Sequence, residues 1–228
     1  MKYDFLLFDA DDTLLDFKKS EDISFQIVLK KNRITGDYNS LIESYKTINN
    51  LLWAQHALGI VSKDFLKIER FRKFLEVNSL SADPVMMCDD YLNTLPDQVF
   101  LIEGTLDLLT SLHKKIPLII VTNGIGVVQH QRLHNSGLKP FIDLMIVSEE
   151  CGYSKPDVRI FQHTFNSLKI SHEKNKILMI GDKLETDILG ANRIGIDSCW
   201  FNPDKNPNTT KITPTFEIQN LKDLIIHL

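Results

Sequence analysis

Short, almost uninterrupted apolar runs recur along this chain, and polar residues bound each of them. The first, at residues 3–8 (YDFLLF), ends in a cluster of acids. Four more follow, at residues 117–121, 143–147, 176–180 and, less regularly, 196–201. A segment with helical patterning precedes each of these four, at residues 105–115, 126–136, 157–168 and 185–194. Buried strands that alternate with helices predict an α/β protein with a Rossmann-like parallel sheet flanked by helices on both faces.

The alternation is interrupted between residues 16 and 96, where no run of this kind occurs. Apolar side chains recur there at steps of three and four residues, as at Phe65, Ile68 and Phe71. That spacing is typical of helices that bury one face. We therefore expect an α/β core made of residues 1–15 and 97–228, and an inserted all-helical domain at residues 16–96.

The net charge of −4 is divided unevenly between these two parts. Residues 16–96 hold 11 basic and 11 acidic residues, whereas the rest of the chain holds 15 basic and 19 acidic residues. The chain has no basic excess that could neutralise a nucleic-acid backbone, so no nucleic-acid polymer is expected as a partner. A small anionic substrate is allowed if a cation meets it locally.

The cysteine spacing and the lengths of the apolar segments indicate in which cellular compartment the protein is expected. Cys88, Cys151 and Cys199 are odd in number and show no C-x-x-C spacing, which favours a reducing environment. The first 15 residues do not have the pattern of a signal peptide. No segment approaches the roughly 20 apolar residues that span a bilayer. We therefore expect a cytoplasmic protein with no membrane partner.

Polar residues of a matching kind follow four of the predicted strands. Ligands of open parallel sheets bind outside the carboxyl ends of the strands, so these residues are expected to share one cleft. These motifs are D-A-D-D-T at residues 9–13, T-N-G at 122–124, K-P at 155–156, and the segment 181–187, which begins with G-D and ends with a further Asp.

This order of motifs resembles the haloacid dehalogenase superfamily of hydrolases along the whole chain. The helical insertion stands in the place of the small cap domain of that superfamily. The resemblance implies a catalytic cleft at the carboxyl edge of the sheet, and it implies Mg²⁺ as the cofactor.

Two acids after the first strand can perform the chemistry. Asp9 can act as a nucleophile on phosphorus and give an aspartyl-phosphate. Asp11 can protonate the leaving oxygen as a general acid and later deprotonate the attacking water. A turn capped by an Asp side chain is the alternative for this D-x-D. In the resembling dehalogenases the second acid is absent, because halide leaves without a proton, so Asp11 favours hydrolysis of a phosphate ester.

Three carboxylates, those of Asp9, Asp182 and Asp187, would repel one another at this edge unless a cation is bound. Oxygen ligands of this kind suit Mg²⁺, which also bridges to phosphate. The resemblance implies that Mg²⁺ is bound by the carboxylates of Asp9 and Asp182 and by the backbone carbonyl of Asp11. Asp187 is expected to act through water or to position Lys155, although a first-turn acid that complements a helix dipole is an alternative.

The remaining motif residues can bind phosphate. Lys155 supplies the single proposed cation for the charge on the transferring phosphoryl group, unless it is a surface lysine. The Thr122 hydroxyl, the Asn123 amide and the backbone N–H at Gly124 can bind phosphate oxygens at a helix amino terminus. A helix N-cap is compatible with that role.

The nearest resemblance within the superfamily is to the non-standard pyrimidine 5'-nucleotidases. It is carried by residues 6–17 (LLFDADDTLLDF), 45–53 (YKTINNLLW), 70–71 (RF) and 199–208 (CWFNPDKNPN). It implies hydrolysis of a small-molecule substrate, a nucleoside 5'-monophosphate with a pyrimidine base, standard or modified. In the insertion, Trp53 or Phe71 could stack on the base and Asn49 or Arg70 could bind its oxygens, but both aromatic residues also fit a helical core.

Three questions stay open at this point. A sugar phosphomutase, or another phosphatase for small phosphate esters, is the alternative on the same core. A non-catalytic binding protein is disfavoured because the set Asp9, Asp11, Lys155 and Asp182 is intact. The oligomeric state, monomer or homodimer, is not determined by the sequence.

Overall fold

The structure is a computed structural model, and it describes residues 1–169 and 176–228. Its internal contacts divide the chain into two units. An α/β unit comprises Met1–Phe17 and Phe100–Leu228, and a helical unit comprises Lys18–Val99. None of the helices in the described part of the chain has the length and apolar character that a membrane span requires.

A six-stranded sheet of order β3-β2-β1-β4-β5-β6 forms the α/β unit, counted over the described residues. Its strands are β1 Phe5–Phe8, β2 Leu118–Thr122, β3 Leu144–Val147, β4 Ile177–Gly181, β5 Asp197–Phe201 and β6 Phe216–Ile218. All neighbouring strands are parallel, which confirms the predicted α/β class. The sequence does not predict β6, because its three residues include the exposed Glu217 and form no apolar run.

The helical unit contains no strand, and all of its residues are described. Its helices are α1 Phe17–Lys31, which begins at the last residue of the α/β unit, then α2 Tyr38–Ala57, α3 Lys63–Val77 and α4 Pro84–Thr94, followed by a 3₁₀ turn, Leu95–Asp97. Asp37 and Ser62 accept hydrogen bonds from backbone N–H groups in the first turns of α2 and α3, which is the usual N-cap arrangement. Phe71 is buried and stacks on Tyr45, with ring centroids 5.5 Å apart, whereas Trp53 is partly exposed.

Helices also follow or precede the strands of the α/β unit, as the sequence predicts. They are α5 Thr105–Leu112, α6 Gly126–Asn135, α7 Ser148–Cys151, α8 Val158–Ser167 and α9 Leu189–Ile194. The predicted helix at residues 185–194 differs in its first half, because Leu184–Ile188 form a π-helical turn before α9 begins. It ends at Gly195, whose φ of 79° places it in the left-handed region that favours glycine at a helix end.

The register of the central strands brings the motifs to one edge of the sheet. Phe8 of β1 pairs with Ile120 of β2 and with Ile180 of β4. The backbone N–H of Asp9 donates to the carbonyl of Ile180 at 2.8 Å. β2 and β4 are buried along their whole length, and β1 is buried except at its first residue. The residues that follow these three strands therefore begin side by side on a rigid base.

Candidate active site

A buried ammonium group lies between two of the predicted carboxylates. Lys155 is only 1% exposed, and its Nζ lies 2.5 Å from Oδ1 of Asp9 and 2.7 Å from Oδ1 of Asp187. A buried charge is tolerated when it is paired in this way. Lys155 is therefore an internal residue of the cluster, and not the surface lysine that the sequence left as an alternative.

Asn123 holds the backbone of Lys155 from both sides. Its Oδ1 accepts a hydrogen bond from the Lys155 backbone N–H, and its Nδ2 donates to the Lys155 carbonyl, both at 2.8 Å. The Lys155–Pro156 peptide bond is cis. The Asn123 amide, which the sequence suggests for phosphate, is thus used to fix the loop that carries the lysine.

Burial and charge shift the pKa values in this cluster. Burial raises the pKa of Asp9 to about 7, the Lys155 ammonium acts in the opposite direction, and the charges of Asp187 and Asp11 add to the rise. Burial also raises the pKa of Asp182 well above its usual range. Burial alone would lower the pKa of Lys155, but the carboxylates of Asp187 and Asp9 outweigh it and raise that pKa. At Asp182 the charge of Lys183 also opposes the rise without cancelling it, so the carboxyl groups of Asp9 and Asp182 both resist ionisation in the absence of a further cation.

Asp182 provides a free oxygen next to this cluster. Its Oδ1 is buried and has no hydrogen-bond partner among the described residues. Its backbone carbonyl accepts a hydrogen bond of 2.8 Å from Nε1 of Trp200, which fixes the backbone of Asp182. One carboxylate oxygen from each of Asp9, Asp182 and Asp187 lies within 4.8 Å of the others. Hard oxygen donors with unbalanced negative charge and one unpartnered buried oxygen fit a divalent cation such as Mg²⁺.

The carboxylate of Asp187 has partners at both of its oxygens, unlike that of Asp182. Its Oδ2 accepts a hydrogen bond of 3.1 Å from the backbone N–H of Lys183, and its Oδ1 faces Lys155. A Cβ atom on Gly181 would overlap the Asp187 carboxylate, so the glycine at the end of β4 makes room for it. Asp187 thus contacts Lys155 directly, and its expected role, to position Lys155 or to act through water, stays a prediction.

The side chain of Asp11 points to a different set of partners. Its Oδ2 accepts a hydrogen bond of 2.6 Å from Nε2 of Gln129, and its Oδ1 is paired with Nη1 of Arg132. Both partners lie on α6, and both are buried. The sequence identifies neither of them, although two long polar side chains three positions apart on a buried helix face were a detectable signal. Arg132 also adds a second cation to the single one that the sequence proposes.

The rest of the T-N-G motif is hydrogen-bonded within the protein. Oγ1 of Thr122 accepts from the backbone N–H of Gly124 at 3.1 Å and from Nε2 of Gln129 at 3.3 Å. The backbone N–H of Gly126, the first residue of α6, donates to Glu149 at 2.6 Å. Phosphate binding by Thr122 and Gly124 therefore stays a prediction, and their visible role is to connect β2 to α6.

Comparison with known proteins identifies the family. A family model for haloacid dehalogenase-like hydrolases matches residues 3–195. The chain belongs to the haloacid dehalogenase-like hydrolase family, which confirms the resemblance found in the motifs.

Individual relatives match almost the whole chain. Pyrimidine 5'-nucleotidase PynA of Streptococcus pneumoniae is 36% identical over 226 residues, which are 99% of this chain and 94% of the relative. Pyrimidine 5'-nucleotidase YjjG of Escherichia coli is 28% identical over 224 residues, which are 98% of this chain and 97% of the relative. The HAD-hydrolase YfnB of Bacillus subtilis, whose crystal structure was solved bound to magnesium, has 36% sequence identity to this chain. Its structure superposes with a TM-score of 0.92, and the match covers 100% of this chain and 99% of that one.

Proposed function

We propose that this chain is a Mg²⁺-dependent phosphatase that hydrolyses pyrimidine nucleoside 5'-monophosphates, standard or modified, through a covalent intermediate on Asp9. The observation that carries the proposal is the buried Lys155 ammonium between Asp9 and Asp187, beside the unpartnered oxygen of Asp182. A nucleophilic carboxylate held against a fixed cation suits attack on a phosphate ester, because charge spreads over the phosphoryl oxygens in the transition state.

The substrate class is supported by two relatives whose names state the same activity. PynA and YjjG match 99% and 98% of this chain, so the similarity includes the helical unit as well as the α/β unit. Sites on the fold, and not the fold itself, decide the function of a protein. The segments at residues 45–53 and 70–71, which carry part of the resemblance to the nucleotidases, lie in the helical unit, so similarity that extends through this unit favours a shared substrate class.

In the first half of the reaction, a carboxylate oxygen of Asp9 attacks phosphorus and the bond from phosphorus to the ester oxygen breaks. The electron pair of that bond goes to the ester oxygen, which takes a proton from Asp11 and leaves as the nucleoside. Lys155 remains next to Asp9 and stabilises the charge on the phosphoryl group. The product of this half is an aspartyl-phosphate and an ionised Asp11.

In the second half, Asp11 takes a proton from a water molecule as its oxygen attacks phosphorus. The bond between phosphorus and the Asp9 oxygen breaks, and its electron pair restores the Asp9 carboxylate while phosphate leaves. Asp187 and Asn123 act indirectly, because they hold the ammonium and the backbone of Lys155.

Mg²⁺, held by the carboxylates of Asp9 and Asp182 and the backbone carbonyl of Asp11, would neutralise phosphate charge and bring the nucleophile and the substrate together. The unpartnered Oδ1 of Asp182 supports this assignment. Both carboxylate oxygens of Asp187 face protein donors, Oδ1 the Lys155 ammonium and Oδ2 the backbone N–H of Lys183, so Asp187 is better suited to positioning than to direct ligation.

The test is phosphate release from dUMP, dTMP, purine nucleotides and sugar phosphates, each with Mg²⁺ and with EDTA. We expect release from the pyrimidine nucleotides, loss of activity in EDTA, and at least a 10³-fold loss in Asp9→Asn, on the order of what a missing nucleophile costs. Asp4→Asn is the matched control, because Asp4 is exposed just before β1 and pairs only weakly with Lys176. Release from sugar phosphates alone, or isomerisation of a phosphosugar without phosphate release, would replace the proposal with the alternative substrate class.

A further inference from the structure

The carboxylate of Asp11 is held by two donors from one helix. Nε2 of Gln129 donates to its Oδ2 at 2.6 Å, and Nη1 of Arg132 is paired with its Oδ1. Gln129 and Arg132 are three residues apart on α6, so they lie on the same face of the helix. We call this pair of side chains the Asp11 clamp.

Arg132 is itself fixed in place. Its side chain is 0% exposed, and its Cζ lies 5.4 Å from the ring centroid of Phe17. Its Nε and Nη2 have no hydrogen-bond partner in the part of the chain that the structure describes. Burial of a guanidinium is costly unless it is paired, so the ion pair with Asp11 compensates the charge of Arg132 while it orients Asp11.

Gln129 is fixed as well. Its amide also donates to Oγ1 of Thr122 at 3.3 Å, and its side chain fills the space beside Gly124. A Cβ atom at position 124 would overlap the Gln129 side chain. The glycine of the T-N-G motif therefore makes room for the residue that reaches Asp11.

The backbone on either side of Asp11 has little freedom. The N–H groups of Leu14 and Leu15 donate to the carbonyl of Ala10 at 3.0 and 2.9 Å, and the N–H of Asp12 donates to the carbonyl of Leu15 at 2.7 Å. The side-chain torsions are what remain free at Asp11, whose carboxylate is 22% exposed. The clamp removes that freedom.

We propose that Gln129 and Arg132 are positioning residues that hold the Asp11 carboxyl group in the orientation for proton transfer to the leaving oxygen. The proposal rests on the proposed function, in which Asp11 is the general acid and base. A protonated carboxyl group keeps acceptor capacity, so Oδ1 stays with Arg132 while Oδ2 carries the transferred proton and still accepts from Gln129. The proton moves from Oδ2 to the ester oxygen as the bond from phosphorus to that oxygen breaks.

The leaving group separates this role from a merely structural one. A nucleoside leaves as a poor alkoxide unless it is protonated, whereas p-nitrophenolate is stable enough to leave without a proton. Both substrates form the same aspartyl-phosphate, so the second half-reaction is common to them. The value of kcat/KM covers the steps up to departure of the alcohol and therefore reports the general-acid step.

The experiment compares kcat/KM for dUMP and for p-nitrophenyl phosphate in four variants with saturating Mg²⁺. Arg132→Met is expected to lower the value for dUMP about 10²-fold and the value for p-nitrophenyl phosphate by less than about 5-fold. Gln129→Met is expected to show the same selectivity with about a 10-fold loss on dUMP, and Arg132→Lys to recover part of the activity. Gln131→Met is the matched control, because Gln131 is exposed on the same helix.

Each outcome decides the proposal. Hydrolysis of p-nitrophenyl phosphate at a nearly normal rate shows that a variant is folded and binds metal, so a selective loss on dUMP supports the clamp. Equal losses on the two substrates in both Arg132→Met and Gln129→Met, or no loss on either, would overturn it while the proposed function stands. A wild-type protein that hydrolyses neither substrate would instead overturn the proposed function.

Discussion

Each unit of this protein buries a cluster of charged groups, and the two clusters are built differently. In the α/β unit, the carboxylates of Asp9 and Asp187 pair with the ammonium of Lys155, and the carboxylate of Asp182 lies close to both of them. In the helical unit, the guanidinium of Arg70 is linked to the carboxylate of Glu21 through a single amide. Asn49 accepts from Arg70 at 3.4 Å and donates to Glu21 at 2.8 Å.

The difference lies in the balance of charge. In the cluster of the helical unit, Arg70 and Glu21 carry opposite charges, and the rings of Tyr91 and Phe71 lie 4.7 and 5.0 Å from the Arg70 guanidinium. In the cluster of the α/β unit, three acids face the charges of Lys155 and Lys183, and Asp182 keeps a buried oxygen without a partner in the described part of the chain. A balanced cluster can serve stability by itself, whereas an unbalanced one is incomplete until a cation binds.

The largest effect is expected from removing the base of the unbalanced cluster. Lys155→Met removes the ammonium that pairs with Asp9 and Asp187 and, in the proposed function, the charge that faces the phosphoryl group. We expect kcat/KM for a nucleotide to fall about 10³-fold. Lys139→Met, at an exposed lysine of the same unit, is the control and should be unchanged. A loss of less than tenfold in a folded Lys155→Met protein would mean that Lys155 serves structure only.

A smaller effect, on stability, is expected from the balanced cluster. Arg70→Met removes a buried guanidinium that donates to Asn49 and lies against the rings of Tyr91 and Phe71, so the free energy of unfolding in urea should fall by about 3 kcal/mol. Lys30→Met is the control, because Lys30 is exposed on α1; it should change stability by less than about 0.5 kcal/mol.

The double variant distinguishes a lost charge interaction from lost packing. If part of the cost of Arg70→Met comes from the lost attraction between its guanidinium and Glu21, adding Glu21→Gln should cost less in the Arg70→Met protein than in the wild type. If the losses in unfolding free energy caused by Arg70→Met and by Glu21→Gln simply add in the double variant, Arg70 contributes only packing against the aromatic rings. The cluster would then not be a balanced pair.

The sequence predicts the unbalanced cluster well, and the reason is local. Asp9 and Asp182 each follow a buried apolar run directly, so the period of the strand and the order of the chain place them at one edge of the sheet. The same reasoning finds Lys155, because its motif follows β3 across a short segment. Strands that lack such a run are missed, as β6 shows.

The partners of Asp11 depend on tertiary structure and could not be derived in this way. Helical spacing indicates that Gln129 and Arg132 share a face of α6, but not which carboxylate that face meets. The π-helical turn at Leu184–Ile188, in which Asp187 lies, is likewise invisible to a pattern of apolar residues. The sequence suggests Arg70 only as a ligand for oxygens of the substrate, whereas the structure buries it to 2% exposure, which no helical pattern predicts for an arginine.

The smallest effect concerns how the unbalanced cluster responds to pH and metal. Burial raises the pKa of Asp9 to about 7, whereas an aspartate in the unfolded chain releases its proton near pH 4. The metal-free folded protein therefore binds the extra proton between about pH 4 and 7, and this contribution to stability falls as the pH rises through that range. If Asp9 binds Mg²⁺ as proposed, the ion must displace this proton below pH 7, and its apparent affinity should be about tenfold higher at pH 8 than at pH 6.

Thermal unfolding at a fixed Mg²⁺ concentration well above the dissociation constant measures that difference. The stabilisation by Mg²⁺ should be larger at pH 8 than at pH 6 by about 1.4 kcal/mol, the equivalent of a tenfold change in affinity. Arg70→Met should lower stability at both pH values and leave the Mg²⁺ increment unchanged, because the balanced cluster needs no metal. Equal Mg²⁺ increments at the two pH values would show that no proton is displaced from Asp9, and the contrast between the clusters would then rest on their partners alone.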